Sequence, residues 1–152
     1  MILKLRQRMA QEESGFTLVE LLVVMLILGL LAAIAIPAFF NQRDKARDAS
    51  AKEAVRTAET AMETYATDHD GSYAGANAAA LRNIEQTLND ADLQDPVPAT
   101  GAGDNADNSY VVTVNSDNAP NTFSITRHSN GTTELTCTDD GNDGCPSGAN
   151  WG

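Results

Sequence analysis

The sequence predicts an α+β fold: one long N-terminal α-helix, half transmembrane and half packed against a small three-stranded antiparallel sheet. Three observations carry that prediction. Residues Leu21–Phe40 read LLVVMLILGLLAAIAIPAFF, twenty positions without a charge. Ala51, Val55, Ala58, Met62 and Tyr65 then recur at spacings of 4, 3, 4 and 3, a narrow helical stripe. Finally, three segments between Tyr110 and Thr138 alternate apolar and polar residues, the period of half-buried strands.

The elements follow in chain order. Met1–Gly15 carries Lys4, Arg6 and Arg8 ahead of Glu12 and Glu13. Positive charge before an apolar span holds that end in the cytoplasm and sends the remainder across the membrane. Twenty helical residues reach about 30 Å, the thickness of the bilayer's hydrocarbon core. The helix is expected to run from Phe16 to about Thr67, where Asp70-Gly71 stops it. Pro37 removes a backbone donor and crowds the preceding turn, so a bend or a melted stretch is expected around Gly29–Pro37. Between Arg43 and Arg56 the charges mix in sign, with Arg43, Asp44, Lys45, Arg47, Asp48, Lys52, Glu53 and Arg56. They read as a solvated helix face laced with i,i+4 pairs.

Beyond the long helix, Ser72–Gly75 is loop, and Asn77–Leu93 reads as a second helix with Leu81, Ile84 and Leu88 on one face. Pro96 and Pro98 end it, and Thr100–Asn108 is a loop of Gly, Asp and Asn. Strands are expected at Tyr110–Asn115, Thr122–His128 and Thr132–Thr138, the last two joined by a Ser129-Asn130-Gly131 hairpin turn. One face of that sheet would cover the Ala51–Tyr65 stripe. Asp139–Gly152 is a polar tail. Cys137 and Cys145 enclose seven residues. In an exported segment an even pair of cysteines reads as a disulfide, against the alternative of two free thiols. So short a loop contributes about 2–3 kcal/mol by the chain-entropy account.

The chain has 152 residues and a formal net charge of −11, with 10 basic residues against 21 acidic ones. Phosphate neutralisation needs clustered Lys and Arg, so direct nucleic-acid binding is not expected. The charge is unevenly placed. The leader nets +1, the remainder −12, and all but Glu20 of that excess lies beyond Phe40. The organisation expected is therefore a leader at 1–15, an apolar membrane and assembly helix at 16–40, and an acidic extracytoplasmic head at 41–152.

Three fates of the N-terminus compete. A secretory signal would be cut after Ala33-Ile34-Ala35, exposing Ile36. A plain signal anchor would stay uncut. A third cut, between Gly15 and Phe16, would leave the apolar span in the mature chain. Only the third explains Glu20. A carboxylate in a membrane segment costs up to about 3 kcal/mol near the centre and marks a functional candidate until its partner is found. The cut frees an α-amino group on Phe16, four residues from Glu20, in the same chain or offered by a neighbour.

Gly15-Phe16-Thr17-Leu18-Val19-Glu20 and the apolar run after it closely resemble the class III signal of type IV pilins and their relatives. The resemblance is specific over about Ser14–Phe40 and architectural beyond. It implies the pilin fold, cleavage after Gly15 by a prepilin peptidase, and N-methylation of Phe16. It implies that Phe16, Glu20, Gly29 and Pro37 serve assembly. It implies as partners identical subunits in a helical filament, the peptidase and methylase, and a membrane platform with a separate ATPase. The expected places are the cytoplasmic membrane for the precursor, single-pass with its head outside, and an extracellular filament once assembled. Adhesion, motility and protein secretion are the roles this family serves. Within such a filament, the mixed charges of Arg43–Arg56 have a second reading, as setters of register between subunits.

Other candidate sites are weaker. His69 and His128 lack a Cys or Ser partner at catalytic spacing, and no Gly-rich phosphate loop is present, so no enzyme activity is expected. Asp139, Asp140, Asn142 and Asp143 form the best metal candidate, since hard oxygen ligands in a Gly-flexed loop suit Ca²⁺. Gly141 stands where a second ligand belongs and no Glu closes the loop, so a solvated acidic turn without any cofactor is the favoured reading. Trp151, the only tryptophan, either packs on the head or is an exposed contact. The expected function is a structural filament subunit. The alternatives are a pseudopilin of type II secretion and, in a different class, a secreted or membrane-anchored binding domain.

Overall fold

A computed structural model describes residues 16–152. Gly15 and the leader, with the processing they are expected to undergo, lie outside the described residues. The chain divides into two compact units, Met1–Phe40 and Asn41–Gly152. Helix α1, Leu18–Asp68, begins in the first and ends in the second.

Within the first unit α1 stays helical through Gly29 and Pro37, so the expected melted stretch does not occur. A single proline deletes one donor from the ladder, and the Leu and Ala residues of the segment are good helix formers that hold the remaining bonds. Every residue from Phe16 to Phe40 is exposed except the half-buried Ala32.

In the second unit, α1 buries Asp48, Ala51, Val55, Ala58, Ala61, Met62, Tyr65 and Ala66. Ala51, Val55, Ala58, Met62 and Tyr65 are the stripe legible in the sequence. The helix ends where Asp70 (φ 55°) and Gly71 (φ 84°) enter the left-handed region, and Gly71 N donates to Ala66 O at 2.8 Å.

Helix α2 spans only Ala78–Ile84. Asn77 caps it, accepting from Ala80 N at 2.9 Å. The expected helix to Leu93 is cut short because Glu85 adopts extended backbone (φ −129°, ψ 104°). The Glu85 carboxylate then accepts from Thr87 N and Oγ1 at 3.2 and 3.0 Å, which starts a 3-10 turn at Gln86–Asp90. Leu81 and Leu88 stay buried across the break, whereas Ile84 is exposed.

The sheet has four antiparallel strands in the order β1 (Asp92–Leu93), β2 (Tyr110–Asn115), β3 (Thr122–Arg127) and β4 (Thr133–Cys137). Three were expected; β1 is the addition. It pairs Asp92 with Asn115 and Leu93 with Val114. Two residues are too few to show a period of two, so no sequence pattern announces it. On β2 and β3, Tyr110, Val112, Val114, Phe123 and Ile125 point inward, and they join the α1 stripe, Leu81, Leu88 and Leu93 in one core. The tail folds back on β4. Cys137 N donates to Ala149 O at 2.9 Å, Thr136 bridges Asn150, and Trp151 N donates to Leu135 O at 3.3 Å.

Candidate functional site

The N-terminal site begins with Thr17, the residue before the first turn of α1. Its Oγ1 accepts from Glu20 N at 3.2 Å, while Glu20 Oε2 accepts from Thr17 N at 2.9 Å and from Thr17 Oγ1 at 2.8 Å. This is a reciprocal capping box, which satisfies helix donors that would otherwise be orphaned. In the uncleaved chain Phe16 carries a peptide nitrogen instead of an amine, and Thr17 is the partner Glu20 has. The Thr17-x-x-Glu20 spacing ahead of an apolar run was a readable signal for this role of Thr17. After the cap the helix presents Leu, Val, Ile, Met and Phe on all sides. Phe16, Ile34 and Phe39 are 81, 77 and 67 % exposed. Apolar surface of that extent is suited to lipid or to copies of itself, not to water.

The second unit is held by two carboxylates on α1. Asp48 is fully buried. It accepts from Ser116 Oγ at 2.6 Å, Asn121 Nδ2 at 2.7 Å and Gly144 N at 2.9 Å. It therefore ties the helix both to the β2–β3 loop and to the disulfide loop, and is not the solvated charge its neighbours suggest. A Cβ on Gly144 would fall 2.5 Å from Asp48 Cβ, so only glycine allows this approach. Glu63 accepts from Tyr110 OH at 2.9 Å and Tyr73 OH at 3.0 Å, with Arg127 Nε at 3.3 Å. Burial, reinforced by the hydrogen bond to Glu63, pushes both phenols up.

Cys137 and Cys145 form the expected disulfide, with Cα atoms 5.8 Å apart. Of the four side chains of the acidic loop only Asp139 and Asn142 meet, and Asp140 and Asp143 have other partners. Asp139 accepts from Asn142 Nδ2 at 3.0 Å, and Asp140 accepts from Gly148 N at 2.6 Å. Asp143 turns outward to accept from Asn118 Nδ2 at 2.9 Å. Among the described residues, no group of three or more His, Cys, Asp or Glu is placed to hold a metal ion.

Trp151 packs on the unit and is fixed there. Its Nε1 donates to Thr136 O at 2.8 Å, and its ring meets Phe123 edge-to-face at 5.9 Å. His69 stacks on Tyr65 at 3.8 Å. His128 Nδ1 lies 2.6 Å from Asp104 Oδ2, and its Nε2 lies 3.7 Å from Glu134. The Asp104 hydrogen bond holds His128 above the ordinary histidine range. Donation from Ser129 N, and then from His128, holds Asp104 below the ordinary carboxylate range. Both histidines thus serve local structure.

Residues 11–36 match a family model described as the prokaryotic N-terminal methylation motif. The chain is similar to the type IV major pilin protein PilA of Myxococcus xanthus, 31 % identical over 124 residues, covering 72 % of this chain and 56 % of that one. It is similar to the type II secretion system core protein G of Pseudomonas aeruginosa, 37 % identical over 59 residues, covering 39 % and 42 %. It is also similar to the fimbrial protein of Neisseria meningitidis, 39 % identical over 71 residues, covering 45 % and 39 %. The chain spans about half the length of the curated relatives it matches. No solved structure matches it.

Proposed function

From a chain that belongs to the type IV prepilin family, we propose a structural, non-enzymatic subunit of a pilus-like filament. The observation that carries the reading is the capped apolar helix. Glu20 closes a capping box on Thr17 at the head of an exposed span that has no other charge before Arg43.

The precursor sits in the cytoplasmic membrane through residues 16–40, with its leader inside and residues 41–152 outside. A prepilin peptidase cuts after Gly15 and Phe16 is methylated. The new ammonium then competes with Thr17 for the Glu20 carboxylate. Helices leave lipid and stack on one another, so apolar surface stays out of water throughout and the transfer carries little hydration cost. An ammonium–carboxylate pair in that low dielectric attracts strongly and penalises a wrong register. Repetition in one direction gives an open filament instead of a ring. A platform and ATPase supply the motion, and no cofactor is assigned to this chain.

The experiment is to express the full chain with its peptidase and assembly machinery and to count surface filaments. Glu20→Ala should be inserted and cleaved yet give few filaments; normal yield would remove the register argument. Gly15→Leu should accumulate as an uncut band. The similarity to core protein G supports a second reading, a short periplasmic pseudopilus. Long surface filaments labelled by antibody to residues 41–152 favour the first, and their absence alongside a secretion defect favours the second.

A further inference from the structure

Beyond Phe40 the chain carries seven Lys and Arg against 18 Asp and Glu. Five of the seven, Arg43, Lys45, Arg47, Lys52 and Arg56, fall within fourteen residues of α1. The other two are engaged inside the unit. Arg82 reaches the carbonyls of Leu88, Ala91 and Leu93, and Arg127 pairs with Glu63. The outward basic charge is therefore confined to one stretch of one helix, where Arg47 pairs with Asp44 at 3.4 Å, while acidic charge runs both through that stretch and over the rest of the unit.

Lys52 and Arg56 stand out within that stretch. Among the described residues, neither has a carboxylate within 4.0 Å. Both lie over aromatic rings instead. Arg56 Cζ is 5.0 Å and Lys52 Nζ 5.7 Å from the Trp151 centroid, and Lys52 Nζ is 5.3 Å from that of Phe123. With Thr60 they line a shallow cavity of about 460 Å³. A second groove, of about 630 Å³, opens beside it, bordered by Glu85, Asp90, Asp92 and Asp117 opposite Arg43 and Arg47. Glu53 and Thr57 line both, so the two surfaces lie side by side across one ridge of α1. The charged residues of the groove net −3, and those of the aromatic cavity +1.

We propose that these surfaces are the two halves of one contact between copies of this chain: the Lys52–Arg56–Trp151 surface of one copy docks on the Glu85–Asp90–Asp92–Asp117 groove of the next. The proposal rests on the filament reading and names the partner surfaces within it. Charge complementarity selects the occupant. Copies that are each strongly acidic repel unless their few outward cations face carboxylates, and like charges brought together suppress the wrong docking. Arginine and tryptophan, desolvated and held in place, are the side chains that most often anchor interfaces. Two different surfaces on one copy can make a heterologous contact, which builds a filament when the rotation between copies does not close into a ring.

The test uses the full chain in cells that assemble it, reading the yield of sheared filaments. Recovery of processed, disulfide-bonded subunit from the membrane serves as the folding control. K52E/R56E should lower filament yield at least tenfold with subunit level unchanged, and D90K/D92K should do the same. Producing the two variants together should restore filaments to within threefold of the parent, with both chains present, because each then supplies the charge the other lacks. Parental yield from either variant alone, or no recovery on co-production, overturns the proposal and assigns the patch to some other protein. If the parent itself makes no filament, it is the filament reading that fails, and this contact with it.

Discussion

Asp48 offers the sharpest structural test of the second unit. Asp48→Ala removes three charge-assisted hydrogen bonds, from Ser116, Asn121 and Gly144. Each is worth about 1.5–3 kcal/mol, and their loss strands three donors. Against that stands relief of the carboxylate's own desolvation, several kcal/mol for a buried ion. The net is a destabilisation of about 3 kcal/mol. For a unit of this size each kcal/mol moves Tm by about 4 °C, so a fall of about 12 °C is expected. Fluorescence of Trp151 reports the transition, because it is the only tryptophan and packs edge-to-face on Phe123. Measurement on the detergent-solubilised full chain keeps the apolar helix shielded. Asp48→Asn keeps the volume but turns an NH₂ toward one donor, and should cost about half as much. A Tm within 3 °C of the parent for Asp48→Ala, with the Gly144 amide still protected from hydrogen exchange, would refute the anchoring role.

Other perturbations have equally definite outcomes. Gly144→Ala places a Cβ against Asp48; a loss of about 1–3 kcal/mol is expected from overpacking, read by the same thermal transition. Glu63→Ala leaves the buried Tyr110 hydroxyl and the Tyr73 hydroxyl unpaired, for a loss of about 1–3 kcal/mol seen in chemical denaturation. The His128–Asp104 contact links the 100–108 loop to the β3–β4 hairpin, and its pH window follows from the directions of the two shifts. His128, raised, stabilises fully below the ordinary histidine value near 6.5 and loses that contribution as pH rises through its folded value. Asp104, lowered, stabilises above the ordinary carboxylate range and loses its contribution as pH falls through its own folded value. Protection of the 100–108 amides, taken as exchange relative to the intrinsic rate at each pH, should be greatest between those limits, and His128→Gln should flatten the alkaline side.

Much of this was legible before the structure, for definite reasons. An uncharged run of twenty residues and a 4-3-4-3 stripe are long, strongly periodic signals, and α1 follows both. The strands alternate over five or six residues each, and the Ser129-Asn130-Gly131 turn closes as expected, with Gly131 at φ 86° and His128 N donating to Thr132 O at 2.9 Å. What escaped was local or remote. Strand β1 is too short to carry a period, and Glu85 breaks a helix whose apolar spacing runs on unbroken to Leu88. Asp48 reads as solvated because seven charged residues between Arg43 and Arg56 surround it in sequence, while its three donors lie 68, 73 and 96 residues away. Thr17 is legible from its capping-box spacing to Glu20, and it engages the same carboxylate that the free amine expected at Phe16 would pair.

Cleavage after Gly15 and polymerisation through the helix so exposed are the steps proposed for this chain. Mass spectrometry of subunits from sheared surface filaments tests them most directly. The expected subunit has lost its first fifteen residues and begins with N-methylated Phe16. Surface material beginning at Ile36, or retaining Met1, would contradict these steps.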